Sequence, residues 1–176
     1  MSMLDAMLHR RSVRSYTDDP VTKEQLEQIL HAGLTSPTGK NLKSWEFIVV
    51  DDREQLQKFV EGRKGGSMKM LGRAAAAIFV FGNTGASDVW CEDCSAAMAN
   101  MHLMADSLGL GSCWVQGRLR DAEDGRTTSE FCRELLGVPE GYEMEAVLSI
   151  GVPDDSAPAP HTLDGADMSK VHWGSF

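Results

Sequence analysis

Three arginines fall within five positions in Arg10-Arg11-Ser12-Val13-Arg14-Ser15-Tyr16. Guanidinium groups are forked donors whose geometry matches phosphate, and a serine adds a hydroxyl donor. On an extended chain, positions 10, 12 and 14 project to one side, so together they could grip one phosphate and a polar ring edge. Taken alone, the cluster reads equally well as a solvated basic turn. The chain as a whole carries a formal charge of −9. The cluster therefore suggests one discrete anion site, not an extended basic face. A surface of that sign repels nucleic acid and anionic membranes, so neither is expected as a partner.

Two further segments carry polar groups into buried surroundings. Ser36-Pro37-Thr38-Gly39-Lys40-Asn41-Leu42-Lys43-Ser44-Trp45 is a polar loop running straight into an apolar strand. Its glycine leaves backbone N–H groups accessible, and the Asn41 amide can both donate and accept; alone it is an ordinary connection built from turn residues. Gly109-Leu110-Gly111-Ser112-Cys113-Trp114-Val115-Gln116-Gly117 follows an apolar helix and ends a short strand. Glycine there allows a flat ligand to approach the backbone, although a tight turn between helix and strand explains it as simply.

Common nucleotide motifs fail. A phosphate-binding G-x4-G-K-[ST] loop does not fit Gly33 to Asn41, which has five intervening residues and ends in asparagine. Gly109-x-Gly111 meets Trp114 where a dinucleotide fingerprint needs its third glycine, so a nicotinamide cofactor would not sit in a Rossmann cleft. Cys91-x-x-Cys94 invites a metal or redox reading. The nearby His102 and Cys113 complete no known zinc spacing, so the four cysteines read as buried or half-buried thiols and no metal is expected. The longest apolar run, Ala74 to Phe81, is too short to span a bilayer. The N-terminus lacks the pattern of a signal peptide, so the expected location is cytoplasmic.

These segments need elements to hold them. A short helix over 4–8 precedes one at 22–34, where Thr22 and Gln25 form a capping-box pattern. A strand over 47–50, a helix over 54–60 and a connecting or lid segment over 62–69 follow. A second strand lies in 74–81. The helix over 92–108 is apolar on nearly all sides and is expected in a core or an oligomer interface. A strand over 112–115, a helix over 128–136 and a strand over 144–150 complete the order. Few strands and many helices imply one α+β domain over 1–176. Its acidic, proline-rich tail, 153–176, cannot pack alone and is expected to wrap a partner subunit.

R-R-S-x-R, then S-P-x-x-x-N-x-x-x-W before a strand, then G-L-G-x-x-W-x-x-G after a long apolar helix closely resemble the nitroreductase family of flavoproteins. The resemblance runs from Arg10 to Trp173, and the central helix around Glu92–Asn100 and the ending Lys170-Val171-His172-Trp173 share in it. It implies an α/β sandwich with a small central sheet, built as an intertwined homodimer with two FMN molecules in the interface. It implies that Arg10, Ser12 and Arg14 hold the phosphate and pyrimidine edge, with Arg11 beside them. It also implies that Pro37, Thr38, Gly39 and Asn41 form the loop given by the second subunit. Gln116 and Gly117 match the segment beside flavin N5, where a backbone N–H donates. No side chain is an obligate catalyst. The implied activity is hydride transfer from NADH or NADPH through N5 to a small acceptor such as a nitroaromatic or quinone, in a ping-pong cycle.

The chain departs from the family pattern in places. Lys43-Ser44 stands where Gln-Pro is frequent. Many members carry an Arg or Lys in the tail that completes the phosphate site; here the tail offers His161 and then Lys170, with acids between, and His161 is the candidate. Fewer cations predict weaker FMN retention. Ser67 or Lys69 would be the lid's contact with the pyrimidine edge. Two other readings stay open: a specialised relative such as a flavin dehalogenase, and a non-enzymatic flavin-binding or redox-sensing protein using Cys91 and Cys94.

Overall fold

The computed structural model describes residues 3–66 and 68–176. Ser67 lies outside them, so its suggested flavin contact does too. In chain order the elements are α1 (Met3–His9), α2 (Lys23–Leu34), β1 (Trp45–Val50), α3 (Arg53–Gly62), β2 (Ala76–Asn83), α4 (Trp90–Ser107), β3 (Gly111–Gln116), α5 (Thr128–Leu136) and β4 (Tyr142–Gly151). The predicted order holds throughout. β1 and β4 each begin two residues before the apolar run that marks them in the sequence, because ladder pairing extends beyond that run.

The strands form one antiparallel sheet in the order β1-β2-β4-β3. Its two faces are both covered. Ala76, Ile78 and Val80 of β2 pack with Met98, Met101 and Ala105 of α4 and Ile29 of α2. The alternate residues Ala77, Phe79 and Phe81 pack with Leu56 and Phe59 of α3 and Cys132 of α5. This explains why β2 reads as an unbroken apolar run: side chains alternate across a strand, and here both directions lead into a core. Each fully buried Leu, Ile or Phe contributes roughly 1.5–3 kcal/mol.

Local signals set the helix ends. Thr22 and Gln25 exchange the two capping-box hydrogen bonds that start α2, and Thr127 with Glu130 does the same for α5. Such a cap stabilises by about 1 kcal/mol. The segment 62–69 is held more firmly than a free lid. Arg63 is buried, and Met68 and Leu71 are fully enclosed in the α3 side of the core.

Glu145 is the extra residue of a β-bulge: Val80 pairs with Ala146, whereas Phe81 pairs with Met144. Its freed carbonyl accepts the backbone N–H groups of Gly117 (3.1 Å) and Arg118 (2.9 Å), which turns the chain away at the end of β3. Beyond Asp154 every residue to Phe176 is exposed. Among the described residues no helix is long and apolar enough to cross a membrane.

Candidate functional site

The N-terminal cluster is laid along the open edge of the sheet. The Val13 N–H donates to the Ser112 carbonyl at 2.9 Å, and Ser12 forms a parallel bridge with Ser112. Gly111 permits the approach, since a Cβ there would stand 2.7 Å from Val13 Cγ1. Tyr16 pins the far end: it is fully buried, its hydroxyl donates to the Val13 carbonyl at 2.8 Å and meets Ser149 Oγ at 2.7 Å. Burial pushes its phenol well above the ordinary range.

Arg10 and Ser12 share one groove, and the exposed Arg14 lies beside Ser12. Arg10 donates to His102 Nε2 at 2.9 Å, and Arg14 donates to the Ser12 carbonyl at 3.2 Å. Burial raises the Cys113 thiol beneath them, while Arg14, the Ser12 hydroxyl and Arg10 act on it in the opposite direction. Arg10, Ser12, Ala99, His102, Leu103 and Trp114 line a groove of about 370 Å³ between α4 and the β3 edge. That lies within the roughly 300–1,000 Å³ typical of small-molecule sites. Arg11 points elsewhere. Its guanidinium donates to the Ala159 carbonyl, and it lines a second groove with Pro153 and Pro158. His161 is brought to the same end of the molecule, where its backbone N–H donates to the Leu8 carbonyl at 2.8 Å and its side chain stays exposed.

At the hydride end, the Ser112 contact with Val13 fixes the alternation of β3. Ser112, Trp114 and Gln116 therefore turn their backbone groups off the sheet edge, and Gly117 turns its N–H inward to Glu145. A side chain at Gly117 would meet Met144 Sδ at 2.7 Å, so a larger residue there would displace the Met144 side chain. The Gln116 amide is already used: it accepts from Trp114 Nε1 at 2.9 Å and donates to the Glu145 carbonyl at 3.3 Å. The outward donor of this segment is the Gln116 backbone N–H.

Pro37, Thr38, Gly39 and Asn41 sit apart from these residues. Their loop lies over the start of α4, where the Gly39 N–H donates to Asp93 Oδ1 at 2.8 Å. Asp93 and His102 are nine positions apart on α4, about 14 Å along its axis. The loop is strained: Lys40, Asn41 and Lys43 have φ of 54°, 58° and 50°. Such left-handed non-glycine residues persist only where surroundings enforce them, and they gather at ligand sites. Lys69 is exposed at the start of a 3₁₀ turn over Lys69–Arg73.

The nitroreductase family profile matches residues 7–64 and 57–152. The chain belongs to the nitroreductase family. A relative from Archaeoglobus fulgidus, provisionally named NADH dehydrogenase/NAD(P)H nitroreductase, is 38% identical over 167 residues, covering 93% of this chain and 92% of its own. An FMN-dependent nitroreductase from Clostridium difficile shares 40% identity, 99% of this chain and 100% of its own, with a TM-score of 0.95. A provisionally named nitroreductase from Desulfovibrio desulfuricans, crystallised in complex with FMN, shares 28% identity over 90% of each chain with a TM-score of 0.73. The nitroreductase fold expected from the sequence is thus the fold of the chain.

Within this nitroreductase the site contains residues that sequence reasoning missed. His102, Asp93 and Glu145 are buried polar groups. The first two share the buried side of α4 with Cys94, Ala97, Met98, Met101 and Ala105. The Glu145 carboxylate accepts from Cys91 Sγ at 3.0 Å and Ser95 Oγ at 3.2 Å. Burial and this carboxylate push the Cys91 thiol up to about 11, and burial raises Cys94 further. Neither thiol is primed as a thiolate, which argues against the redox-sensing reading. Among the described residues no cluster of three metal-ligating side chains exists.

Proposed function

We propose that the chain is an FMN-dependent NAD(P)H oxidoreductase acting on a small acceptor such as a nitroaromatic or quinone, and that it works as a homodimer. The observation that carries this reading is that Arg10 and Ser12 line one groove beside an open strand edge, with the exposed Arg14 donating to the Ser12 carbonyl next to it. The donor set fits a phosphorylated flavin: two guanidinium groups, a hydroxyl, and outward backbone donors along an edge wide enough for a flat ring. Arg10 and Ser12 would hold the phosphate. Arg14 would face the pyrimidine edge, where a cation stabilises negative charge on the reduced ring. The Gln116 backbone N–H would donate at N5, and Gly117 would support it through Met144 and Glu145. Bound FMN would supply the chemistry, accepting hydride from NADH or NADPH and passing it to the acceptor in a ping-pong cycle. The protein's part is binding, orientation and charge, with no acid or nucleophile required.

The dimer is supported by two features of the single chain. The loop holding Pro37, Thr38, Gly39 and Asn41 is rigidly built, and its anchor on Asp93 lies about 14 Å along α4 from the His102 that meets Arg10, as in a loop serving the neighbouring protomer. The tail 153–176 carries Trp173 and Phe176, 89% and 106% exposed, which one protomer leaves in water. A partner surface would cover them, and His161 and Arg11 would steer the tail at its root. Titration with FMN alongside light scattering tests this: two FMN per dimer is the expected stoichiometry, and a monomer that binds none would refute it.

A further inference from the structure

We propose that His102 is a positioning residue that holds the Arg10 guanidinium in place for an incoming phosphate. The inference rests on the reading of Arg10 as a phosphate ligand. Arg10 donates to His102 Nε2 at 2.9 Å, and His102 Nδ1 meets Ser112 Oγ at 2.5 Å. Arginine can only donate, so Nε2 must present its lone pair and the imidazole must be neutral. The hydrogen is therefore on Nδ1, and the Ser112 hydroxyl oxygen accepts it. The surroundings agree with that state. His102 is 6% exposed and Ser112 2%. Burial, then the charge of Arg10, lowers His102 to about 4. The carboxylate one turn along, Asp106, is occupied by His9 at 2.9 Å.

The choice of partner matters. A partly buried guanidinium usually meets a carboxylate, which cancels its charge. Arg10 has no ion-pair partner among the described residues, and its side-chain acceptor is a neutral imidazole. The contact fixes the rotamer while leaving a full positive charge facing the groove. Ser112 serves twice: its hydroxyl accepts the Nδ1 hydrogen and so holds the ring, and its carbonyl aligns the strand-like segment carrying Ser12. One β3 residue thus couples the two phosphate-facing side chains.

The test compares FMN with riboflavin, which lacks the phosphate. Affinities are measured by flavin fluorescence for wild type, His102→Leu, His102→Gln, Ser112→Ala and Arg10→Ala, with thermal unfolding confirming folded protein. His102→Leu is expected to weaken FMN about tenfold and riboflavin less than about twofold. His102→Gln, whose amide oxygen can take the place of Nε2, is expected to restore most of the loss. Ser112→Ala should shift FMN in the same direction by a smaller factor, and it decides the matter should His102→Leu fail to fold. If Arg10→Ala weakens FMN while His102→Leu and Ser112→Ala do not, or if they weaken FMN and riboflavin equally, the positioning role is overturned. If Arg10→Ala leaves FMN affinity unchanged, the phosphate reading falls, and this inference with it.

Discussion

The backbone N–H of Gly39 donates to the Asp93 carboxylate at 2.8 Å, tying the 37–41 loop to the first turn of the long helix α4. The second carboxylate oxygen meets Ser44 Oγ at 3.5 Å and Ser87 Oγ at 3.4 Å. One buried acid thereby holds the loop on either side of the strained residues Lys40, Asn41 and Lys43.

Replacing Asp93 by alanine should leave those buried donors unpaired and cost about 2–3 kcal/mol. Urea unfolding would read the loss. Because the loop is proposed to serve the neighbouring flavin, turnover by the folded fraction should fall as well. Unchanged turnover would remove the loop from the site.

Arg10→Ala and Ser12→Ala should each weaken FMN about tenfold or more while leaving the protein folded and the proposed dimer intact. Equilibrium dialysis and light scattering check both halves of that statement. Full flavin retention in both variants would contradict the phosphate assignment.

His102 gives a pH dependence with a definite sign. Its folded value is about 4, below the ordinary 6.5. The unfolded chain therefore binds this proton first as pH falls, and stability declines from about pH 6.5 to about pH 4, then levels off. The full effect is on the order of 3 kcal/mol. Carboxylates titrate in the lower part of this window, so the informative quantity is the difference between wild type and His102→Gln. That variant should lack this part of the acid sensitivity.

Cys91 and Cys94 should behave as inert thiols. Burial and the Glu145 carboxylate hold Cys91 near 11, so reaction with a disulfide reagent at neutral pH should be far slower than for a free thiol. Rapid modification of both in the folded protein would revive the sensing alternative.

Removing residues 162–176 should weaken the proposed dimer by at least tenfold, because the apolar contacts proposed for Trp173 and Phe176 go with them. Concentration-dependent light scattering measures it, and an unaltered dissociation constant would take the tail out of the interface.

Much of this architecture was legible in the residues. The T-x-x-Q pattern at Thr22 marks the α2 boundary, and Ala74 to Phe81 announces a strand buried on both faces. The three motifs supplied the family. What could not be read was pairing across distance. No periodicity indicates that Arg10 meets His102 or that Gly39 meets Asp93, since sequence separation hides such contacts. Arg11 looks equivalent to Arg10, yet on an extended segment neighbours face opposite ways, and it grips the tail instead. The bulge at Glu145 depends on how two strands register, which neither strand's sequence reveals.

Anaerobic absorbance spectroscopy reads the proposed flavin-mediated hydride transfer from a nicotinamide. The FMN-loaded protein should lose its yellow flavin band on adding NADH or NADPH and regain it on adding a nitroaromatic or quinone. A folded protein that stays colourless with added FMN, or whose bound flavin neither nicotinamide bleaches, would contradict the account.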